Sequence, residues 1–516
     1  MRKNLQAMLL ALALTGMLAW TFNHQQAWSS SPPGIEWDRT YGGTHNDYAF
    51  SVVQTPDGGY AIAGYTNSFG PDSPDFWLVK TDEYGDPEWS KIYGGPSGEK
   101  AYCVVQTADG GYAIAGRTRS FGSGKCDIWL VKTDEFGNHL WNQTYGGPED
   151  DIAREIIETS DGGYAMAGET SSFGHGSRDF WLVKTDSEGN MQWNQPYGGT
   201  DEDEAYSVVQ TEEGGYAVVG RTLSFGPQDF WLVKTDADGN MQWNRAYGGG
   251  GPQIAFSVVQ TPDGGYAIGG ENGPNNDLRD VWLVKTDASG DMQWNKTYGV
   301  GTIDISKSMI QTADGGYALA GWSETPAGSD YADFYVIKTD VDGNMQWNNT
   351  YGGAERDEAY SLIPTSDGGY AVVGYTGSFG AGGHDFWLIK LAPEEIPATV
   401  DIDPDTLNLK SNGQWITTYL ELPEESSVSE IDVSSILLNG SISVDLDAPT
   451  AIGDHDTDSI PDLMVKFERA AVIALLGTHD YGEDTGKSVD VALVITGEVA
   501  GTPFEGNDTI RILLKS

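Results

Sequence analysis

The chain between residues 35 and 391 consists of short apolar runs separated by turns rich in Gly and Asp. One unit, from Ala205 to Gly249, reads AYSVVQT-EEGG-YAVVGRT-LSFGPQ-DFWLVKTD-ADGN-MQWNRAYGG. Its four apolar runs are rich in β-branched and aromatic residues, which is typical of strands. Gly-Gly after an acidic residue and the segment Thr-Asp-x-x-Gly-Asn supply the positive φ angles of tight hairpins. The pattern therefore predicts four antiparallel strands per unit and no helix in this range.

The unit is repeated. The tetrapeptide Gly-Gly-Tyr-Ala occurs seven times, at 58–61, 110–113, 162–165, 214–217, 264–267, 315–318 and 368–371. Seven four-stranded units of about this length predict an all-β fold, a seven-bladed β-propeller over residues 35–392. A parallel solenoid is the competing architecture, but it would need polar capping ends.

The two ends of the repeat array predict how the propeller closes. A strand of the MQWN type first occurs at Trp37, before any complete unit, and the seventh unit ends at DFWLIKLA without such a strand. We therefore expect the N-terminal strand IEWDRTY to pair with Asp385–Leu391 and to complete the seventh blade.

The periodicity ends after the segment PEEIP at 393–397, so we expect a linker at 393–398 and a second domain at 399–516. Short alternating strands indicate a small β-sandwich there. The expected strands are Thr399–Ile402, Trp415–Glu421, Ser435–Leu438, Leu463–Phe467, Val489–Thr496 and Thr509–Leu514.

The N-terminus predicts the compartment. Arg2 and Lys3 precede an uncharged, largely apolar stretch from Leu5 to Phe22. Residues 1–28 are therefore interpreted as an export signal or an N-terminal anchor, which locates the protein outside the cell or at its surface. We expect no membrane insertion beyond this segment, because no later stretch is long and apolar enough to span a bilayer.

The charge excludes one class of partner. The chain has 76 acidic and 29 basic residues, for a net charge of −47. Phosphate backbones are bound by Lys and Arg, so a nucleic-acid partner is not expected. Cations or basic surfaces suit this charge. The two cysteines, Cys103 and Cys126, are expected on strands that are not neighbours, too far apart for a disulfide.

The repeats carry a family resemblance. The order Ala-Ile-Ala-Gly-Tyr-Thr, Asp-Phe-Trp-Leu-Val-Lys and Gly-x-x-x-Trp resembles a kelch unit. The segment from Tyr41-Gly42-Gly43 to Lys80 is still more similar to the secreted β-propeller repeats of bacteria and archaea. The resemblance covers about residues 35–391. It implies the fold and an extracellular place, but propellers serve many functions.

The loops predict which face is functional. Turns after the first and third strands of each unit hardly vary, whereas the loops after the second and fourth strands do. Because binding residues concentrate on variable loops of a rigid scaffold, we place a ligand site on this variable face. Acidic loops at 149–151, 201–204 and 355–358 are either a surface for a cation or basic partner, or a solvated rim. The Asp that begins each third strand, such as Asp75, recurs in every copy and is interpreted as a packing device.

The second domain contains a calcium-type loop. Its expected ligands are Asp454, Asp456, Asp458, Ile460 through its carbonyl, and Asp462. Oxygen ligands at alternate positions match the first part of an EF-hand loop. However, Ser459 stands where that loop has Gly, and Val465 stands where it has Glu. We therefore expect a further ligand, Asp445 or Asp447; the alternative is an acidic turn without a metal.

These observations favour an exported, non-catalytic binding or scaffold protein whose variable face meets a protein or glycan. No zinc ligand spacing, Gly-x-Ser-x-Gly motif or phosphate loop occurs in the chain. An extracellular carbohydrate-active enzyme and a structural cell-envelope component are the alternatives. The enzyme would need a cluster of carboxylates and His on the variable face that breaks the repeat symmetry.

Overall fold

A computed structural model describes residues 32–70, 74–275, 278–324, 331–423, 426–477, 488–499 and 502–513. The expected export signal at 1–28 lies outside these residues. Among the described helices, none is both long enough and apolar enough to cross a membrane.

The described part of residues 35–391 contains strands and turns and no helix. In chain order the strands are β1 (Ile35–Tyr41), β2 (Asp47–Gln54), β3 (Tyr60–Thr66), β4 (Asp75–Thr81), β5 (Pro87–Tyr93), β6 (Lys100–Gln106), β7 (Tyr112–Thr118), β8 (Asp127–Thr133), β9 (His139–Tyr145), β10 (Asp151–Glu158), β11 (Tyr164–Thr170), β12 (Asp179–Thr185), β13 (Met191–Tyr197), β14 (Asp203–Gln210), β15 (Tyr216–Thr222), β16 (Asp229–Thr235), β17 (Met241–Tyr247), β18 (Gln253–Gln260), β19 (Tyr266–Asn275), β20 (Leu278–Thr286), β21 (Met292–Tyr298), β22 (Asp304–Gln311), β23 (Tyr317–Ser323), β24 (Asp333–Thr339), β25 (Met345–Tyr351), β26 (Asp357–Pro364), β27 (Tyr370–Thr376) and β28 (Asp385–Leu391).

These strands form seven four-stranded antiparallel sheets within the described chain. The first six sheets follow chain order, from β2–β5 to β22–β25, and the seventh contains β26, β27, β28 and β1. In the seventh sheet β1 pairs along β28, with Tyr41 opposite Phe386 at one end. The prediction of an all-β fold built from repeated four-stranded antiparallel units is confirmed.

Consecutive sheets pack face to face through aromatic side chains. Phe76 of the first sheet lies 4.7 Å from Trp129 of the second, between ring centroids. The same contact joins Trp77 of the first sheet to Phe386 of the seventh at 4.5 Å. Each sheet is therefore covered on both faces, and every residue of β3 and β4 is buried. Face-to-face packing of four-stranded antiparallel sheets in this way is the β-propeller architecture.

A tyrosine hydroxyl joins each sheet to the next. Tyr41, the last residue of β1, donates to the carbonyl oxygen of Gly85 at 2.7 Å. Five further tyrosines donate to the matching glycine of the following sheet: Tyr93 to Gly137, Tyr145 to Gly189, Tyr197 to Gly239, Tyr247 to Gly290 and Tyr298 to Gly343. Tyr351 donates instead to Pro33, just before β1, at 2.8 Å. The N-terminal segment thus occupies the place that a hairpin turn has in the other six sheets.

Buried carboxyl pairs lie at the variable end of these interfaces. Asp75, the first residue of β4, is 2 % exposed, and its Oδ1 accepts no hydrogen bond from the described residues. Burial and the charge of Glu99 on the second sheet raise the pKa of Asp75 to about 6. Burial together with the next sheet's acid likewise raises the pKa of five other aspartates: Asp127 facing Asp151, Asp179 facing Asp203, Asp280 facing Asp304, Asp333 facing Asp357, and Asp385 facing Asp47.

The opposite end of each sheet carries buried lysines. Lys80 is 4 % exposed, and its ammonium lies 2.9 Å from the Asp57 carboxylate in the Gly-Gly turn. Burial raises the pKa of Asp57, but hydrogen bonds from Thr55 and Lys80 outweigh this effect and lower it to about 2. The invariant turns are therefore fixed by charge as well as by glycine, since Gly58 has a φ of 86°.

The C-terminal unit is a two-sheet sandwich. Its elements are β29 (Ile396–Pro397), β30 (Thr399–Asp403), β31 (Thr406–Asn408), β32 (Trp415–Glu421), the 3-10 helix η1 (Val428–Glu430), β33 (Ile431–Leu438), β34 (Ile442–Ser443), β35 (Ala451–Gly453), β36 (Asp462–Glu468), α1 (Arg469–Gly477), β37 (Ser488–Val499) and β38 (Thr502–Leu513). One sheet has the order β30-β32-β36-β35, and the other contains β29, β38, β37, β33 and β34, with β31 also paired to β38. A single core with Ile402, Val465, Leu493 and Ile510 lies between them.

Three features of this unit differ from the sequence analysis. Residues of the expected linker, Ile396–Pro397, pair in parallel with β38. The apolar run at 469–477, to which no element was assigned, is the helix α1, because Val472 and Leu476 lie one turn apart and are buried together. The strands β33, β37 and β38 are longer than predicted, and the added residues include Ile431, Val499 and Phe504, which are buried.

The tyrosine hydroxyls that join neighbouring sheets predict how removal of one hydroxyl affects stability. Tyr351→Phe removes the contact to Pro33, and Tyr145→Phe removes the equivalent contact between the second and third sheets. Each should lower the free energy of unfolding by about 1 kcal/mol, because a buried carbonyl loses its donor. Urea unfolding followed by tryptophan fluorescence measures this. A silent Tyr351→Phe beside a destabilising Tyr145→Phe would show that the N-terminal segment does not take this place in solution.

The carboxyl pairs predict a stability that falls with rising pH. Their pKa values are higher in the folded than in the unfolded chain, so folding takes up protons between about pH 4 and pH 6. The stabilisation is complete below the unfolded pKa and is lost as pH rises through the folded pKa. We expect a higher melting temperature at pH 5 than at pH 7.5 by calorimetry. Asp75→Asn should reduce the difference, and an equal or lower melting temperature at pH 5 would contradict the assignment.

Candidate functional site: the variable face and the propeller axis

Exposed phenyl rings mark the variable face. Five of the loops after the second strand contain Ser-Phe-Gly, and their phenylalanines are 39–50 % exposed. Each ring leans on a buried Trp of its own sheet, as Phe69 does on Trp77 at 5.3 Å between centroids. The five are Phe69, Phe121, Phe173, Phe225 and Phe379. They give this face an apolar ring that is interrupted at the fifth and sixth sheets.

A bulge in each innermost strand directs side chains towards the propeller axis. In β2 the pairing with β3 shifts between Ala49 and Ser51, which leaves Phe50 as the extra residue. The same shift in the other six innermost strands singles out Tyr102, Arg154, Tyr206, Phe256, Lys307 and Tyr360. These seven residues, with most of the residues that follow them, line a cavity of about 260 Å³.

The residues after the bulges connect neighbouring sheets around the axis. Ser207 Oγ accepts from the Val258 amide at 3.2 Å, and Ser361 Oγ accepts from the Val52 amide of the first sheet at 3.4 Å. Glu155 takes the serine's place on the third sheet and accepts from the Val208 amide at 2.5 Å. The second sheet has Cys103 at this position. This layer is therefore a polar floor with one carboxyl group in it.

Two of the seven bulge residues, Arg154 and Lys307, are cations and break the repeat symmetry. Arg154 lies 3.1 Å from the Glu169 carboxylate and sits beside the Tyr102 ring, 5.0 Å from its centroid. Lys307 places its ammonium 3.4 Å from the centroid of the Phe256 ring. The other five positions are aromatic, so the cavity combines an aromatic wall with two positive charges.

Burial shifts two pKa values around this cavity. Both Glu155 and Lys307 retain some surface, but that surface faces the cavity, and protein surrounds them. Burial raises the pKa of Glu155 to about 7, against hydrogen bonds from Val208 and Ser207 that favour the ionised form. Burial lowers the pKa of Lys307 to about 8.

Paired acids lie beside residues that line the cavity, since the hydroxyl groups of Tyr206 and Tyr360 donate to Glu204 and Glu358. Glu204 contacts both Arg221, at 2.9 Å, and Arg178. These arginines outweigh the effect of burial and lower the pKa of Glu204 to about 2. Glu271 pairs with Arg279 at 2.8 Å, and Glu358 pairs with Arg356. The Glu204 carboxylate therefore stays ionised and can serve as a structural or binding charge.

His384, which precedes β28, contacts Tyr48 of the first sheet. The Tyr48 hydroxyl is 2.9 Å from its Nδ1, and burial lowers the pKa of His384. Glu358 lies close enough to His384 to act on its pKa, but the paired acids are held by arginines. Sequence reasoning did not bring these groups together because they come from different repeat positions. Glu204 and Glu358 belong to the first strand of a unit, Glu271 belongs to the second strand, and His384 precedes the third strand.

The expected calcium loop lies between β35 and β36. Oxygen atoms of Asp454, Asp456 and Asp462 lie within 4.8 Å of one another, and so do those of Glu421, Asp456 and Asp458. Glu421, at the end of β32, thus occupies the place for which Asp445 or Asp447 was considered. Asp445 instead accepts from the Trp415 indole at 2.9 Å. Pairing of β32 with β36 brings Glu421 opposite Asp462, which no local pattern indicates.

Backbone amides within the loop donate to its aspartates. Ser459 donates its amide to Asp454, 3.2 Å away, and has a φ of 83° where an EF-hand loop has Gly. Burial and the charges of Asp458 and Asp456 raise the pKa of Glu421. A divalent cation would relieve this repulsion, and the carboxylate donor set suits Ca²⁺.

Comparison with known proteins gives limited information. No protein-family model matches the chain. The regulatory protein FlaEY of Caulobacter vibrioides is 29 % identical over 137 residues, which is 23 % of this chain and 14 % of that protein. The match therefore spans about a seventh of the relative's length.

Solved structures with a similar arrangement share little sequence. A protein of unknown function from Dyadobacter fermentans has a TM-score of 0.40 and 12 % identity, over 70 % of this chain and 100 % of that one. Sqt1 of Chaetomium thermophilum, bound to the N-terminus of ribosomal protein L10, has a TM-score of 0.41 and 13 % identity, over 73 % and 95 % of the two chains. The Pan2 WD40 domain of Neurospora crassa has a TM-score of 0.41 and 8 % identity, over 68 % and 99 %.

Proposed function

We propose that this chain is an exported, non-catalytic binding protein, in which the variable face of a kelch-like propeller meets an extracellular protein or glycan. The observation that carries this proposal is the ring of exposed phenylalanines on one face. The apolar N-terminal stretch after Arg2 and Lys3 supports export.

The propeller in this proposal is a closed, seven-bladed ring. Three contacts between chain ends support closure: Tyr351 with Pro33, Trp77 with Phe386, and Val52 with Ser361. Each repeats a contact found between sheets that are neighbours in sequence. A closed ring holds the loops of the variable face in fixed positions, as a binding scaffold requires.

The chemistry of the face indicates the kind of partner. Exposed phenyl rings pack against apolar protein side chains or against the C–H faces of sugars. Acidic loops lie beside them, at 149–151 and 201–204, and the chain's net charge is −47. A basic or neutral partner is therefore favoured over an acidic one, because like charges slow association and weaken it.

A carbohydrate-active enzyme receives less support. Glu155 has a pKa suited to acid–base chemistry, about 7. Glycoside hydrolysis generally needs two carboxyl groups flanking the scissile bond. Among the described residues that line the axial cavity, Glu155 is the one carboxylic acid.

The contribution of the exposed phenylalanines to binding can be tested by substitution. A printed array of glycans and extracellular proteins identifies a probe, which is then titrated by surface plasmon resonance. Phe121→Ser with Phe173→Ser should weaken its affinity at least tenfold, because aromatic anchors at an interface contribute about 1–2 kcal/mol or more each.

Phe136→Ser is the matched control for this experiment. Phe136 is 60 % exposed but lies in a hairpin turn on the invariant face. Its substitution should leave the affinity unchanged. Equal loss from both variants, or none from the Phe121 and Phe173 pair, would place the binding surface elsewhere.

We further propose that the loop at 454–462 binds a structural Ca²⁺ ion through Asp454, Asp456, Asp458, the Ile460 carbonyl and Asp462. Glu421 would complete this set. The ion would join β32 to the loop before β36 and stabilise the edge of the sandwich. This module would then act as a spacer or an attachment unit for the propeller.

Calcium binding is measured on the full chain by isothermal titration calorimetry. We expect one site with a dissociation constant of about 0.1–1 mM, as in extracellular calcium modules. Asp456→Ala should abolish the heat of binding, since Asp456 belongs to both oxygen groups. Asp447→Ala, which removes an exposed acid outside these groups, should leave it intact. If the parent chain does not bind calcium, the loop is an acidic turn without a metal.

A further inference from the structure

We propose that the axial cavity binds a small organic monoanion, a carboxylate with an apolar body, which the Lys307 ammonium holds. The cavity of about 260 Å³ lies near the lower end of the range for ligand pockets, about 300–1,000 Å³. A ligand of roughly the size of a benzene carboxylic acid suits it. This site is separate from the exposed phenylalanines of the variable face and does not depend on the partner of that face.

The two cations of the cavity differ in their partners. Arg154 is neutralised by Glu169, whose carboxylate lies 3.1 Å away. Within the described chain Lys307 forms no hydrogen bond and no ion pair, and its ammonium lies over the Phe256 ring, 3.4 Å from the centroid. A buried, unpaired ammonium is costly because it has lost its water shell and gained no counter-charge. An anion in the cavity would supply the missing partner.

The acidic groups near Lys307 do not take the place of such an anion. Glu271 and Glu358 raise its pKa, whereas Arg279 and Arg154 lower it. Neither glutamate lies within ion-pair distance of Lys307, and each is held by its own arginine, Arg279 or Arg356.

Glu155 does not take the place of the anion. It lies on the third sheet, Lys307 lies on the sixth, and burial raises the pKa of Glu155 to about 7. Below that pH its carboxyl group is largely protonated, so it can donate a hydrogen bond to a ligand carboxylate.

The walls of the cavity select for an apolar body. Phe50 lies edge-on to Tyr102 and Tyr360, at 5.4 and 4.8 Å between centroids. Tyr206 and Phe256 meet in the same way at 5.0 Å. Such edges and faces surround a flat or branched apolar group, whereas a hydrated inorganic anion would lose its water against them.

The test uses the full chain and isothermal titration calorimetry at pH 6.5. Benzoate is the probe, benzamide is its uncharged analogue, and chloride and inorganic phosphate are anions without an apolar body. We expect benzoate to bind at least tenfold more tightly than each of the other three. Equal binding of benzamide, stronger binding of chloride or phosphate, or no heat with benzoate would overturn the proposal.

Variants assign the binding to one ammonium group. Lys307→Met should weaken benzoate binding at least tenfold, whereas Lys125→Met, at an exposed lysine of the variable face paired with Glu149, should leave it unchanged. In the parent chain the affinity should fall as pH rises from 7 to 9, because Lys307 loses its proton. Lys307→Arg should reduce that pH dependence to the part that follows the Glu155 carboxyl group, whose pKa is about 7. Unchanged binding by Lys307→Met would overturn the proposal.

A stability measurement separates lost binding from lost folding. Without ligand, Lys307→Met should melt at a higher temperature than the parent chain, since it removes an unpaired buried charge and keeps the apolar volume. Loss of benzoate binding in this more stable variant then reports the missing ammonium alone. A lower melting temperature for Lys307→Met would show that the charge is already compensated within the fold, and this would contradict the proposal.

Discussion

The structure depends on the burial of both faces of every propeller sheet. A four-stranded sheet such as β2–β5 carries Phe76 on one interface and Trp77 on the other, so it is stable only between two neighbours. The first and seventh sheets make a contact of this kind through Trp77 and Phe386. The burial of successive residues along β3 and β4 is a direct consequence, because neither face of these two strands meets water.

This constraint separates the two ends of the propeller. At one end, Lys80 and its equivalents fix the Gly-Gly turns, and the sequence there hardly varies between copies. At the other end the backbone is already held by the interfaces and by buried carboxyl groups such as Asp75, so the loops can differ. Exposed phenylalanines and acidic loops occupy this end. The fold thus provides a rigid base on which a binding surface can change without loss of stability.

The side chains around the propeller axis also differ between copies, for a separate reason. A β-bulge at the same point of each innermost strand turns one extra side chain inward, and the repeat leaves the type of that side chain free. Five copies use aromatic rings, one uses Arg154 and one uses Lys307. A cavity with localised charge therefore forms inside an otherwise regular array, and its polar groups come from sheets that are distant in the sequence.

The sequence by itself determined the strands, the hairpin turns, the repeated unit and the acidic calcium-type loop, because each is encoded by neighbouring residues. The meeting of Arg154 and Lys307 at one cavity and the approach of Glu421 to Asp456 depend on the tertiary structure. These residues lie tens to hundreds of positions apart, and only the packing of sheets brings them together. The helix α1 belongs to the same class, since a short apolar run is compatible with strand or helix until its burial decides between them.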